Sequence, residues 1–241
     1  MKTLIIPDIH TNYKLAEKII LEENADKIVF LGDYFDEFYD NASIAQNTAE
    51  WLKESLNKPN RIHLFGNHDV NYAFHDDSYK CSGYSAGKDI AINSVLKTED
   101  WKKLSLFTWV GSWLCSHAGV HPYWYSNQNI PFKEYLSNQC EAALDLAFSN
   151  KPAHPLLRAG KSRWGSEVVG GIIWCDIDEF ALIENVNQIF GHTKVREETW
   201  FINDGQNSRN VCIDNVINLC NYAVHDGKTD KITIKNTRKI K

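Results

Sequence analysis

The feature that constrains this chain most is a series of short polar clusters, each set directly after an apolar or β-branched run. PDIH stands at 7 to 10, LGDYFDE at 31 to 37, FGNHD at 65 to 69, CSHAG at 115 to 119, FGHT at 190 to 193 and CID at 212 to 214. The first five follow, or end, the runs Thr3 to Ile6, Lys27 to Leu31, Arg61 to Phe65, Trp113 to Cys115 and Gln188 to Phe190. Such runs read as buried strands. Each cluster then falls just past a strand, where α/β sheets gather their ligand-binding residues.

The chemistry of the clusters points to metal ions. Asp8 and His10 are one residue apart, so in a turning segment both side chains can reach one cation. Asp33 has two carboxylate oxygens and can bridge two cations. Asn67 offers a carbonyl oxygen, and His117 and His192 offer imidazole nitrogens. That mixture of oxygen and nitrogen suits manganese, iron, zinc or magnesium and lacks the thiolates of a structural zinc site. Two ions about 3.5–4 Å apart polarise a phosphoryl oxygen and acidify a bridging water. Glycines at 32, 66 and 191 let the backbone turn sharply and approach closely. Taken singly, Asp8 or Asp33 could cap a helix, and any one histidine could be a hydrogen-bonded core or surface residue. Five clusters in order, each at a strand end beside a small residue, are not explained that way.

The set resembles the calcineurin-like metallophosphoesterase superfamily. Its pattern runs Asp-x-His, Gly-Asp-x-x-Asp, Gly-Asn-His-Asp/Glu, a lone His and Gly-His-x-His, and matching segments span residues 8 to 192. The resemblance implies two divalent ions, manganese first, with iron, zinc or magnesium as alternatives. One ion would take Asp8, His10 and Asp33; the other would take Asp33, Asn67, His117 and His192. A hydroxide bridging the ions would attack the ester, His68 would be the general acid that protonates the departing oxygen, and Asp36 would orient His68 and keep it charged. The implied fold class is α/β, with two packed mixed β-sheets flanked by helices.

Departures from the pattern are informative. Lys194 replaces the last His of Gly-His-x-His, as in the protein Ser/Thr phosphatase-like branch, which includes bacterial and phage-type enzymes. That branch usually carries one Arg after the second Asp and another just before Gly-Asn-His, both gripping phosphate. Glu37 and Phe65 stand there instead, and Thr11 replaces the Gly that commonly follows the first His. Substitute cations are Arg158 and Arg163, in a segment whose glycines at 160, 165, 170 and 171 suggest a loop able to fold over the metals. Arg suits bidentate phosphate contact; both arginines could equally be solvated loop residues.

At 241 residues and 43% hydrophobic, residues 1–241 can form a single domain with one substantial core. Helices are predicted over Lys14 to Glu23, Ile44 to Leu56, Ile90 to Leu96 and Phe132 to Phe148, alternating with strands in the first half as βαβ units. The segments 199–203, 210–214, 221–227 and 231–235 read as short antiparallel strands, with Asp-Gly turns at 204–205 and 226–227. No repeat, low-complexity tract or transmembrane run interrupts the chain. The Tyr-rich stretch 71 to 85 could wall the site for an aromatic or nucleotide leaving group, or pack as an ordered loop. His75, Asp76 and Asp77 lack a partner for a third metal, and His63, His121, His154 and His225 are not assigned roles.

Six cysteines at 81, 115, 140, 175, 212 and 220 form no Cys-x-x-Cys pair and read as small buried hydrophobes. The chain passes from Met1 straight into its first strand, which leaves no room for a cleavable signal ahead of Asp8 and implies a cytoplasmic location. A net charge of −5 argues against duplex nucleic acid as a partner, the basic residues at 235 to 241 being a solvated tail. The expected partner is a phosphorylated substrate, not a membrane. Two function classes stay open: a metal-dependent phosphoesterase acting on a phosphoprotein, a nucleotide or dinucleoside polyphosphate, or a nucleic acid, and a metal-binding regulatory protein of the same fold without turnover. An intact acid pair, His68 and Asp36, favours the enzyme.

Overall fold

The structure, a computed structural model, describes residues 1–74, 76–125, 129–195, 200–203, 207–214 and 221–237. Its strands are β1 (Lys2–Ile6), β2 (Lys27–Phe30), β3 (Arg61–His63), β4 (Phe107–Val110), β5 (Trp113–Ser116), β6 (Asn187–Phe190), β7 (Trp200–Asn203), β8 (Arg209–Cys212), β9 (Asn221–Asp226) and β10 (Lys231–Asn236). Its α-helices are α1 (Tyr13–Glu23), α2 (Ala42–Ser55), α3 (Asn67–Ala73), α4 (Ala86–Val95), α5 (Thr98–Trp101) and α6 (Phe132–Phe148).

Two five-stranded mixed sheets result, ordered β10-β9-β1-β2-β3 and β4-β5-β6-β8-β7. Each has three parallel strands (β1, β2 and β3; β5, β6 and β8), bordered by antiparallel strands. The period-2 alternation of the strands decides the layering. Ile5, Val29 and Ala223 of the first sheet meet Cys115, Ile189 and Val211 of the second in one buried cluster. Leu4, Ile6, Ile28 and Phe30 face the other way and pack on Ala16 and Ile19 of α1 and on Ala45, Ala49 and Leu52 of α2. Leu114 turns outward towards the layer that holds Leu136, Cys140 and Ala143 of α6. The architecture is therefore the expected sandwich of two mixed sheets between helices.

Local chemistry sets the helix ends. Asn41 caps α2, its side-chain oxygen accepting from the N–H groups of Ser43 and Ile44. α1 stops at Asn24, which adopts the left-handed conformation that ends a helix. The C-terminal strands are not all antiparallel: β8 pairs antiparallel with β7 but parallel with β6. Parallel partners distant in sequence leave no local signature, so the segment's own pattern could not reveal this. The Asp-Gly pair at 226–227 opens a turn that runs to Asp230, whose N–H donates to Asp226 O; the pair at 204–205 lies outside the described residues. No helix among the described residues is long and apolar enough to cross a membrane.

Candidate metal centre and active-site cleft

All six proposed ligands follow the C-terminal ends of parallel strands. Asp8 and His10 come after β1, Asp33 after β2, Asn67 after β3, His117 after β5 and His192 after β6. The turns that aim them are strained. His10, Asp33, Asp36 and His192 have φ of 41°, 53°, 67° and 67°, a left-handed region that non-glycine residues enter at a cost. Backbone N–H groups then fix the carboxylates: His192 N–H donates to Asp8 Oδ1 at 3.0 Å, and His68 N–H to Asp33 Oδ1 at 2.9 Å. Each carboxylate is left with Oδ2 facing the imidazoles.

The side chains form two groups that share Asp33: Asp8, His10 and Asp33 in one, Asp33, His117 and His192 in the other. His10 Nδ1 sits 2.8 Å from Phe35 O and His117 Nδ1 3.0 Å from Leu31 O. A carbonyl only accepts, so both Nδ1 atoms carry the proton and both Nε2 atoms present lone pairs. His117 Nε2 lies 3.0 Å from Asn67 Oδ1, 3.2 Å from His192 Nδ1 and 3.5 Å from Asp33 Oδ2. Burial, helped by the nearby Arg163 charge, holds the His192 imidazole well below its ordinary pKa and hence neutral. Lone pairs turned on one another in a buried pocket repel unless a cation lies between them. The donor set therefore fits divalent metal ions.

His68 lies beside this centre on α3. Its Nδ1 is 3.0 Å from Asp36 Oδ2. Burial alone would lower the imidazole pKa, but the Asp33 charge and the Asp36 hydrogen bond outweigh it and hold it well above its ordinary value. Asp36 is anchored on its other side. Tyr72 Oη and Lys88 Nζ both donate to Asp36 Oδ1 at 2.6 Å, and Asn71 Nδ2 donates to Oδ2 at 3.3 Å. Burial opposes the carboxylate's charge, yet His68, Lys88 and Tyr72 together lower its pKa.

The centre opens into a cleft of about 820 Å3 lined by His10, Asp33, Asn67, His68 and His192. Glu37, Lys88, Arg163 and Lys194 also reach its wall. Arg163 is steered by Asp176, which accepts from its Nε, and by Thr193, whose Oγ1 lies 3.3 Å from its Nη2. Arg158 lines an adjoining cavity instead and lies 3.6 Å from Glu167 Oε1. Phe65 does not face the cleft: it is fully buried and stacks on Trp101 with ring centroids 6.2 Å apart. Of the two positions where arginines were expected, one thus brings a negative charge to the cleft and the other contributes to the core.

A sequence profile of the calcineurin-like phosphoesterase family matches residues 1–196, which contain every one of these ligands and the dyad. The chain belongs to the calcineurin-like phosphoesterase family. It is accordingly a metal-dependent phosphoester hydrolase. Among solved structures it is similar to a cold-active protein-tyrosine phosphatase of a psychrophilic Shewanella species, at 14% identity, covering 98% of this chain and 80% of that one, with a TM-score of 0.60. It is also similar to a protein serine/threonine phosphatase from Saccharomyces cerevisiae described as resembling human phosphatase PP5, at 15% identity, covering 98% and 79%, with a TM-score of 0.53. At such identities these likenesses concern the fold. No curated protein matches the chain.

Several residues of this phosphoesterase site escaped the sequence reading. Asp69 is fully buried and accepts from the N–H groups of Asp33, Tyr34 and Gly66, each at 2.8 Å, tying the turn after β2 to the start of α3. Its place in the Gly-Asn-His-Asp motif was the available signal. Lys88 is 5% exposed and bonds both Asp36 and Asp40, the latter at 2.8 Å; nothing in the local sequence sets it apart from a solvated helix lysine. The Tyr-rich stretch is mostly packing: Tyr72, Phe74 and Tyr79 are buried, and Phe74 meets Phe148 of α6. Ser82, Gly83 and Ser85 line the cleft there rather than the tyrosines.

Proposed function

We propose that this chain hydrolyses phosphate esters at a pair of divalent ions, one held by Asp8, His10 and Asp33 and the other by Asp33, Asn67, His117 and His192, with manganese the first candidate. The observation that carries this reading is the shared carboxylate. Asp33 Oδ2 lies 3.8 Å from His10 Nε2 and 3.5 Å from His117 Nε2, so a single oxygen serves both donor sets. When bound, such ions polarise a phosphoryl group and acidify water beside it. The protein's own part is to hold protons and charges in place. His68 commits Nδ1 to Asp36, which leaves the Nε2 proton for the oxygen that departs with the leaving group. A protein that only bound ligands would have no use for a proton donor anchored in this way.

Arg163 is the cation best placed to meet the phosphate, and Glu37 opposes a dianion in the same cleft. Arg163→Ala should therefore raise KM for a monoester about 10- to 100-fold, the effect of one charge-assisted hydrogen bond, and raise it less for a monoanionic diester. We extend the proposal to a cytoplasmic location, to residues 1–241 as one domain, and to a phosphorylated substrate as partner, with neither a membrane nor duplex nucleic acid. The described cysteines are all free thiols, as a reducing compartment would keep them, and the net charge is −5. The deciding experiment pairs metal analysis with hydrolysis of 4-nitrophenyl phosphate. Two metal equivalents per chain are expected, with activity lost on chelation and restored by Mn2+. Activity that survives thorough metal removal overturns the reading.

A further inference from the structure

A second cavity, of about 640 Å3, adjoins the metal cleft, and Ser82, Arg163 and Trp174 line both. The cleft wall is of mixed charge, with Asp33, Asp36, Glu37 and Asp40 beside Lys88, Arg163 and Lys194. Among the described residues, none that lines the second cavity is acidic, whereas Lys80, Arg158 and Arg163 all reach it. Arg158 has donors to spare: its Nε is buried with no hydrogen-bond partner, and the Glu167 carboxylate is 3.6 Å from its Nη1.

Two indoles complete the wall. Trp174 stands half-buried at the junction, and Trp164 is 95% exposed. Trp164 is also held with φ of 58° at the end of a short 3-10 turn, its N–H bonded to Lys161 O at 3.1 Å. An indole kept in water forgoes the burial its surface would otherwise gain. Cys81 also lines the cavity, and its Sγ is 3.6 Å from His68 Nδ1, the nitrogen held by Asp36, so the cavity runs along that flank of the catalytic imidazole.

We propose that this cavity is a subsite for the nucleotide part of a substrate, with a planar base laid on Trp164 and Trp174 and a further phosphate taken by Arg158. The assignment rests on the phosphoesterase reading of the adjoining cleft. Lys80 and Arg163 are paired with Asp77 and Asp176, but a neutral aryl group would make no use of Arg158, whose Nε has no partner. An acidic peptide would want an extended groove with backbone partners, and the space here is compact, side-chain-walled and of the size that encloses a small ligand.

The test is calorimetric titration of the whole protein, in chelator, with AMP, adenosine, inorganic phosphate and an acidic phosphotyrosyl peptide. AMP should bind at least about 10-fold more tightly than adenosine or phosphate alone, since it engages both halves of the subsite. Trp164→Ala and Arg158→Ala should each weaken AMP about 10-fold, and Trp164→Phe, which keeps an aromatic face, should stay within about 3-fold of the unaltered chain. With metals restored, kcat/KM for ADP should fall about 10-fold further in the first two variants than that for 4-nitrophenyl phosphate. AMP binding no tighter than phosphate, AMP affinity unmoved by both alanines, or tighter capture of the peptide overturns the proposal. Hydrolysis of 4-nitrophenyl phosphate by the unaltered chain reads the metal centre separately, so AMP binding without turnover would sink the catalytic reading and leave the subsite standing.

Discussion

Three of the imidazoles at the centre, those of His10, His117 and His68, have one nitrogen committed so that the other can act. Phe35 O and Leu31 O take the Nδ1 protons of His10 and His117, and Asp36 takes that of His68. The first two are left with lone pairs and the third with a proton to give. His68→Asn should therefore lower turnover about 10²- to 10⁴-fold for an alkyl ester, and far less for an activated aryl phosphate whose leaving group needs no proton. Metal content measured alongside should be unchanged, and loss of metal would show that His68 is a ligand. Lys88 supports the pair from behind. With Nζ 2.6 Å from Asp36 and 2.8 Å from Asp40, it is the buried cation between two buried carboxylates. Lys88→Met leaves those charges uncompensated and should cost about 3–5 kcal/mol in a denaturant titration; an undiminished midpoint would show that the carboxylates find another cation.

Strands and turns carry the centre, and the turns leave little room. A Cβ on Gly191 would run into Asp8 Oδ1, and one on Gly66 into Asp33 Oδ1. Gly191→Ala should push the Asp8 carboxylate aside and reduce bound metal by about one equivalent, because Asp8 belongs to one donor group only; full occupancy would mean that the β6 turn yields instead. The same geometry explains what could be read from the sequence. Asp8, Asp33, Asn67, His117 and His192 were legible because each follows a β-branched or apolar run that could only be a strand, so position and chemistry coincided. α3 was not, since Asn67, His68, Asp69 and Asn71 make most of its seven residues polar although most are buried, and no apolar stripe sets a 3.6-residue period. Lys88 was not, because its meaning depends on Asp36, which lies 52 positions earlier. Nor was β8, whose parallel neighbour β6 is fixed by the sheet and not by local residues.

Over the whole molecule, the ends of the described chain are tied to its beginning through one carboxylate away from the metals. Glu23, at the last position of α1, is 6% exposed. It accepts from Tyr222 Oη at 2.8 Å in β9 and from Lys235 Nζ at 2.8 Å in β10, and Lys2 Nζ of β1 lies 2.8 Å from its Oε2. Burial would raise its pKa, but Lys2, Lys235 and Tyr222 outweigh burial and bring it down from 4.5 to about 2. A folded-state pKa below the unfolded one means that the unfolded chain binds the proton first as pH falls. Glu23 therefore contributes its full stabilisation above about 4.5 and loses it as pH falls towards 2. Both ammonium groups are partly exposed, so screening limits the contribution, and Glu23→Gln should cost about 1–2 kcal/mol at neutral pH. Melting temperatures of the two chains, measured from pH 7 downwards, should converge across that acid window. Curves that stay parallel to the lowest pH would show that the carboxylate's charge is not what joins α1 to the first sheet.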